Sequence, residues 1–199
     1  MHIDYSKFIN DVSAFHDITD TPNRDVPTKL SEAEIQLRCN LNREEDREFY
    51  EAAVLHPSFF VAEGVDKIYV VAGTLVQMGL KDRVNHRCEF LPFNNYWHGL
   101  ELYDEMFLRA VQNNQLEAVV DASIAKIYLA CQILIDRKLD GCLMPMWDAI
   151  HGANMAKADP VTGKCRKRED GKVLKPEGWQ PANILNTYHT WEASQKVTA

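Results

Sequence analysis

The sequence predicts an all-α fold with one small exception, and three observations carry that prediction. Residues 31–53, and the stretch that follows through residue 79, place apolar side chains at steps of three and four, the period of an amphipathic helix. Residues 105–139 repeat the same outline, so the chain reads as a helix pair followed by a pseudo-duplicated second pair. Turn signals at Thr162-Gly163 and Asp170-Gly171 predict the one exception, a small C-terminal β-hairpin over 162–175.

At 199 residues the chain suits a single domain spanning 1–199, large enough to bury a proper core. Within it, residues 1–80 read as an N-terminal helix and first helix pair, 100–158 as the second pair and a final helix, and 159–199 as hairpin and tail. A net charge of −7 argues against a general nucleic-acid binder. Cys39, Cys88, Cys131, Cys142 and Cys165 are scattered, with no Cys-x-x-Cys pair, as expected of reduced thiols in a cytoplasmic protein. The amino terminus lacks the basic and apolar regions of a signal peptide, and no apolar run approaches membrane-spanning length, so no membrane partner is expected.

Taken in order, residues 3–16 put Phe8, Val12 and Phe15 on one face of a short helix. Pro22, Asn23 and Pro27 break the connector that follows. Ser31-Glu-Ala-Glu34 is a capping box, so the first long helix starts there and runs to about residue 53. His56-Pro57 ends that helix, and 58–62 bridges to the next. Residues 81–98, rich in Asn and aromatics (Phe90, Phe93, Tyr96, Trp97), read as a loop or broken helix, serving as a base pocket, a lid or core packing.

In the second pair, Lys126-Ile-Tyr aligns with Lys67-Ile-Tyr, and Glu105 with Glu48. That alignment sets Leu102, Ala122 and Ala125 where the first pair has Glu45, Glu63 and Asp66. The second copy has therefore lost the acidic residues. A last helix is expected from Pro145 through Lys157, stopped by Asp159-Pro160, with the final residues from about 194 frayed.

The chemistry lies in the first pair. Glu45 and Glu48 share a helical stripe with Leu37, Leu41, Ala52 and Leu55, which turns them toward a core. Glu63 and Asp66 lie on a similar stripe with Val70, Gly73 and Gln77. Like charges three or four apart on a helix repel, and burying four costs several kcal/mol unless a cation neutralises them. Oxygen-only ligands favour a hard ion, Mg2+ or Mn2+.

Glu-x-x-Glu on one helix and Glu-x-x-Asp on the next, with Asp-x-x-Tyr-Val-Val-x-Gly following, resembles the all-α nucleoside triphosphate pyrophosphohydrolases. This is the MazG-like group, which includes phosphoribosyl-ATP pyrophosphatase and the dimeric dUTPases. Asn154-Met-Ala-Lys157 and Arg168-Glu-Asp-Gly-Lys172-Val-Leu-Lys-Pro resemble segments of its phage and bacterial members. The resemblance implies a MazG-like helical bundle, metal on Glu45, Glu48, Glu63 and Asp66, and a proton acceptor at Glu44 or Glu45. It also implies nucleotide contacts from Asn154 and Lys157. Arg38 stands where the group carries an Arg before its double glutamate, and Arg168 and Lys172 belong to a basic hairpin that either closes over phosphates or lies solvated. Phe15 and His16 could help hold a base, although a core Phe and a surface His is the plainer reading.

The implied activity is cleavage of a nucleoside triphosphate, ribo or deoxy, to monophosphate and pyrophosphate in nucleotide-pool control, by a homodimer or higher homo-oligomer. Phosphoribosyl-ATP as substrate, or a catalytically silent nucleotide-binding protein, are the alternatives.

Overall fold

The computed structural model describes residues 5–84, 95–168 and 173–197. They form α1 (Tyr5–Ile18), α2 (Glu32–Ala52), α3 (Pro57–Gln77), a 3-10 turn (Lys81–Arg83), α4 (Tyr96–Gln112), α5 (Leu116–Asp136), α6 (Asp140–Met155) and α7 (Ile184–Val197). The protein is all-α. Among the described residues there is no strand; where the hairpin was expected, Lys167 and Val173 form one isolated antiparallel bridge. The Asp170-Gly171 turn lies outside the described residues, as do Phe90 and Phe93.

α2 and α3 form one antiparallel pair, α4 and α5 a second, and α3 and α5 face each other between them. α1 and α6 pack on α3 from its other side, and α7 covers α6. The Ser31–Glu34 capping box starts α2 as expected. Pro57 does not break the chain before α3. It occupies the first helical turn, where its missing N–H is unneeded, and His56 is the N-cap, its ring nitrogen accepting from the Ser58 amide at 3.3 Å. Residues 58–62, expected as a bridge, are therefore helix.

α6 likewise begins before Pro145, which sits inside the helix on its exposed side, where water can serve the carbonyl left without a partner. Tyr96–His98 open α4, capped by Asn95. The tail from residue 184 is also helical; Asn183 accepts the Asn186 amide at 3.1 Å, and Tyr188 is buried.

Four charged side chains lie at the centre of the bundle. The Lys67 ammonium meets both Asp46 and Asp104, the latter at 2.9 Å. The Lys126 ammonium meets Asp46 at 3.0 Å and Asp104 at 3.1 Å. Each pair supplies one Asp and one Lys, and all four residues are buried. Each Lys also lies over a buried Phe of its own pair, Lys67 5.9 Å from the Phe49 ring centroid and Lys126 4.6 Å from that of Phe107. Burial alone would make such charges costly, so they are tolerated because each has two opposite partners.

This tetrad changes two expectations. It turns Arg38, Cys39, Asn42, Asp46, Phe49 and Ala52 inward on α2, and leaves Leu37 and Leu55 49% and 57% exposed. The buried stripe is thus rotated from the one the leucines suggested, because Asp46 must reach the lysines. It also matches Asp46, Phe49 and Ala52 with Asp104, Phe107 and Ala110, one residue off the sequence alignment. Tyr103 and Met106, not Leu102 and Glu105, are then the counterparts of Glu45 and Glu48.

α5 is long and apolar enough to cross a membrane, which the reading of apolar runs missed. In this fold 72% of its most apolar window is buried inside the protein, with Lys126 in its middle.

The connector between α1 and α2 is tied to the end of α3. The Arg24 and Thr28 amides donate to the Val76 and Met78 carbonyls at 3.2 and 2.8 Å, among the last carbonyls of the helix end. Gly79, at φ +68°, makes this crossing possible, since a Cβ there would lie 2.0 Å from the Val26 carbonyl oxygen.

Replacing Lys67 with Met should leave two buried carboxylates facing one ammonium and cost about 3–5 kcal/mol in denaturant unfolding. The same core should respond to acid. Burial opposes ionisation of Asp104, but Lys126 and Lys67 outweigh it and hold its pKa below the ordinary value. Its contribution to stability is therefore complete above the unfolded pKa, about 3.9, and is lost as pH falls through the lower folded value. A Lys67→Met protein as stable as the parent would contradict the account of the core.

Candidate metal centre

Glu45 and Glu48 lie three residues apart on α2, and Glu63 reaches them from α3. One carboxylate oxygen from each lies within 4.8 Å of the others, and all three residues are half-buried. Asp66, one turn after Glu63, is also half-buried and close enough for its charge to act on Glu45, although it stands outside the triad. Glu44 is exposed and also outside it.

The position of these groups follows from the core. Lys67 is locked inward by the tetrad, so its neighbour Asp66 must leave α3 about 100° away, toward α2. Glu45 is placed in the same way by Asp46.

The carboxylates strain against one another. Burial, followed by the charges of Asp66, Glu48, Glu63 and Glu44, pushes the Glu45 carboxyl up to about 8. Burial and Glu63 push Asp66 up to about 7, against the pull of Lys157. Burial and Glu48 raise Glu63 as well. An oxygen-only, half-buried set that resists ionising together fits a hard divalent cation, with Glu45, Glu48, Glu63 and Asp66 as the residues to hold it.

One cation acts on Asp66. The Lys157 ammonium, just past the end of α6, donates to Asn154 Oδ1 at 2.7 Å. Burial and then Lys175 lower its pKa, while Asp66 pulls the other way. Asn154 also meets the Tyr69 hydroxyl, which lies 3.1 Å from His151 Nδ1. The structure thus brings Asn154 and Lys157 to Tyr69, one turn of α3 beyond Asp66, with the Lys157 charge acting on Asp66 and on no other acid of the cluster.

Other expected residues lie elsewhere. Arg38 is buried, with Nε donating to Gln77, whose amide donates to Glu34 at 2.9 Å. It precedes Glu45 by seven residues, about 10 Å along the helix, and serves the packing of α2 on α3. His16, read as a surface residue, is buried: desolvation and then Arg38 lower its pKa to about 4, and Nδ1 lies 2.9 Å from the Pro22 carbonyl. Phe15 is half-buried, its ring edge-on to Tyr69 at 5.6 Å. Arg168 is exposed beside the Lys167–Val173 bridge, and Lys172 lies outside the described residues.

Sequence reasoning missed the tetrad. Its signal was a Lys inside each of two apolar helices, a placement that burial permits only for a paired charge.

The raised pKa values have a measurable sign. A carboxyl whose folded pKa exceeds its unfolded one makes the fold less stable as pH rises between the two values. Without divalent ions, the Tm should fall from about pH 4.5 toward pH 8, the window set by Glu45, with Asp66 contributing up to about 7. Mg2+ should restore it, more at pH 8 than at pH 5, and Glu45→Gln should flatten the metal-free slope. A metal-free Tm independent of pH over this window would count against a crowded carboxylate site.

Set against known proteins, the chain matches no family profile, no curated protein and no solved structure.

Proposed function

We propose that this protein is a metal-dependent nucleoside triphosphate pyrophosphohydrolase of the MazG-like kind, cleaving a triphosphate to monophosphate and pyrophosphate. The observation that supports it is the convergence of Glu45, Glu48 and Glu63 within 4.8 Å, with Asp66 beside them and the Lys157 ammonium acting on Asp66. Acids alone would suit any cation site; a lysine whose charge reaches Asp66 while its ammonium bonds Asn154 suits a ligand that carries charge of the opposite sign.

When bound, Mg2+ or Mn2+ supplies neutralisation of phosphate oxygens and acidity to a water. The chain does the rest. Glu45 and Glu48 from α2 and Glu63 and Asp66 from α3 would hold the cation, and their fixed placement would orient the triphosphate beside it. Lys157, steadied by Asn154, stabilises charge that builds on the departing pyrophosphate. Glu44 is exposed next to the triad but outside it, which leaves it free to accept the proton of the attacking water.

A panel of NTPs and dNTPs with Mg2+, scored for pyrophosphate and for orthophosphate, tests this reading. Pyrophosphate should be the direct product. Glu48→Gln and Asp66→Asn should abolish turnover with the fold intact. Glu44→Gln should lower kcat by about 10²–10⁴-fold while Mg2+ affinity is kept. Lys157→Ala, removing one charge-assisted contact, should lower kcat/KM roughly 10- to 150-fold. Orthophosphate as direct product, or a Glu48→Gln protein of normal activity, would overturn it.

A further inference from the structure

Residues 173–183 cross the end of α6 on their way to α7. Within them, Pro176, Glu177, Gly178 and Trp179 make a tight turn, the Trp179 amide donating to the Pro176 carbonyl at 3.1 Å with Gly178 at φ +76°. A side chain at Gly178 would find open space, so the requirement there is the left-handed backbone itself. The turn sends Trp179 back onto α6, where its indole N–H donates to the Ala153 carbonyl at 2.7 Å. That carbonyl lies in the last turn of α6, among those that a helix end leaves free.

Two ammonium groups converge on this ring. Lys175 Nζ lies 4.4 Å from its centroid and Lys157 Nζ 5.5 Å. Lys157 is also 5.8 Å from the Phe15 ring. An aromatic face attracts a cation, but two cations on one indole repel each other. The arrangement suits a ligand whose charged oxygens bridge both. The position narrows the choice, because Lys157 bonds Asn154, and Asn154 meets Tyr69, one turn of α3 beyond Asp66 of the carboxylate cluster. Such a ligand has one end at the cation of that cluster and an anionic end here.

We propose that Lys157, Lys175 and Trp179 form the subsite for the terminal diphosphate of the nucleotide, with Lys175 as its second cation and Trp179 as the positioning residue for both. This rests on the pyrophosphohydrolase reading, in which the terminal diphosphate is the leaving group. Trp179 touches no reacting atom. Fixed by Ala153, its ring confines two flexible side chains that would otherwise lose more rotamer freedom when the anion binds.

The test is binding of inorganic pyrophosphate with Mg2+, measured by calorimetry on the whole chain, with a nucleoside monophosphate as control. Lys175→Met and Trp179→Leu should each weaken pyrophosphate binding by about tenfold and leave monophosphate binding unchanged. Trp179→Phe, which keeps a ring and loses the N–H, should fall between. Pyrophosphate should also change the tryptophan emission of the parent more than that of Trp179→Phe. Parent-like pyrophosphate affinity in Lys175→Met and Trp179→Phe, or equal weakening of pyrophosphate and monophosphate, overturns the subsite. The two readings fail separately. Loss of turnover in Glu48→Gln with no effect at Lys175 or Trp179 sinks only the subsite. Selective pyrophosphate weakening in a protein that hydrolyses no triphosphate keeps the anion site and sinks the activity.

Discussion

Two lysines, each shared between the same two aspartates, sit where α2, α3, α4 and α5 meet, and the rest of the molecule is oriented around them. Apolar packing tolerates a helix turned by some tens of degrees; a buried ammonium with two carboxylate partners does not. Each helix contributes one member, so the rotation of all four is set together. Tyr50 adds a hydrogen bond to Asp104 at 2.9 Å, and Phe49 and Phe107 close the lysines from the side. A tetrad of this kind need not add net stability over an apolar core of the same shape. What it supplies here is register.

The inner charges and the proposed metal-binding charges are neighbours in sequence, Asp46 after Glu45 and Lys67 after Asp66. Fixing one member of each couple inward sends the other to the edge of the α2–α3 contact. This is why a cluster that repels itself is still held in place by the fold. In the second pair the inner couple survives as Asp104 and Lys126, while Tyr103, Met106, Ala122 and Ala125 stand where the outer acids would be. The two pairs are equal in the core and unequal at the edge.

The sequence made the helical class, the capping box of α2 and the nearness of Glu45, Glu48 and Glu63 legible, because each is written in local spacing. It misplaced the buried face of α2, where a count of leucines outvoted Asp46, whose partners are 21 and 80 residues away. Pro57 and Pro145 read locally as boundaries; one starts a helix and the other lies inside one, on its wet side. Arg38 and His16 illustrate the limit best. Both have the chemistry of a binding site, but Gln77, itself held by Glu34, takes the Arg38 hydrogen bond and the Pro22 carbonyl that of His16, inside the protein. Only tertiary structure shows that such a polar group is already satisfied.

A further consequence attaches to Asn114. At φ +50°, in the turn between α4 and α5, its side chain exchanges two hydrogen bonds with the Leu30 backbone, at 2.7 and 2.9 Å. Leu30 is the residue before the Ser31 cap of α2. The turn of the second pair therefore holds the entry to the first, across 84 positions of chain. A nascent polypeptide released only as far as α3 has α2 without this fastening and Asp46 and Lys67 without their other partners. Maturation of the acidic site is thus tied to synthesis of the half that carries none of its acids.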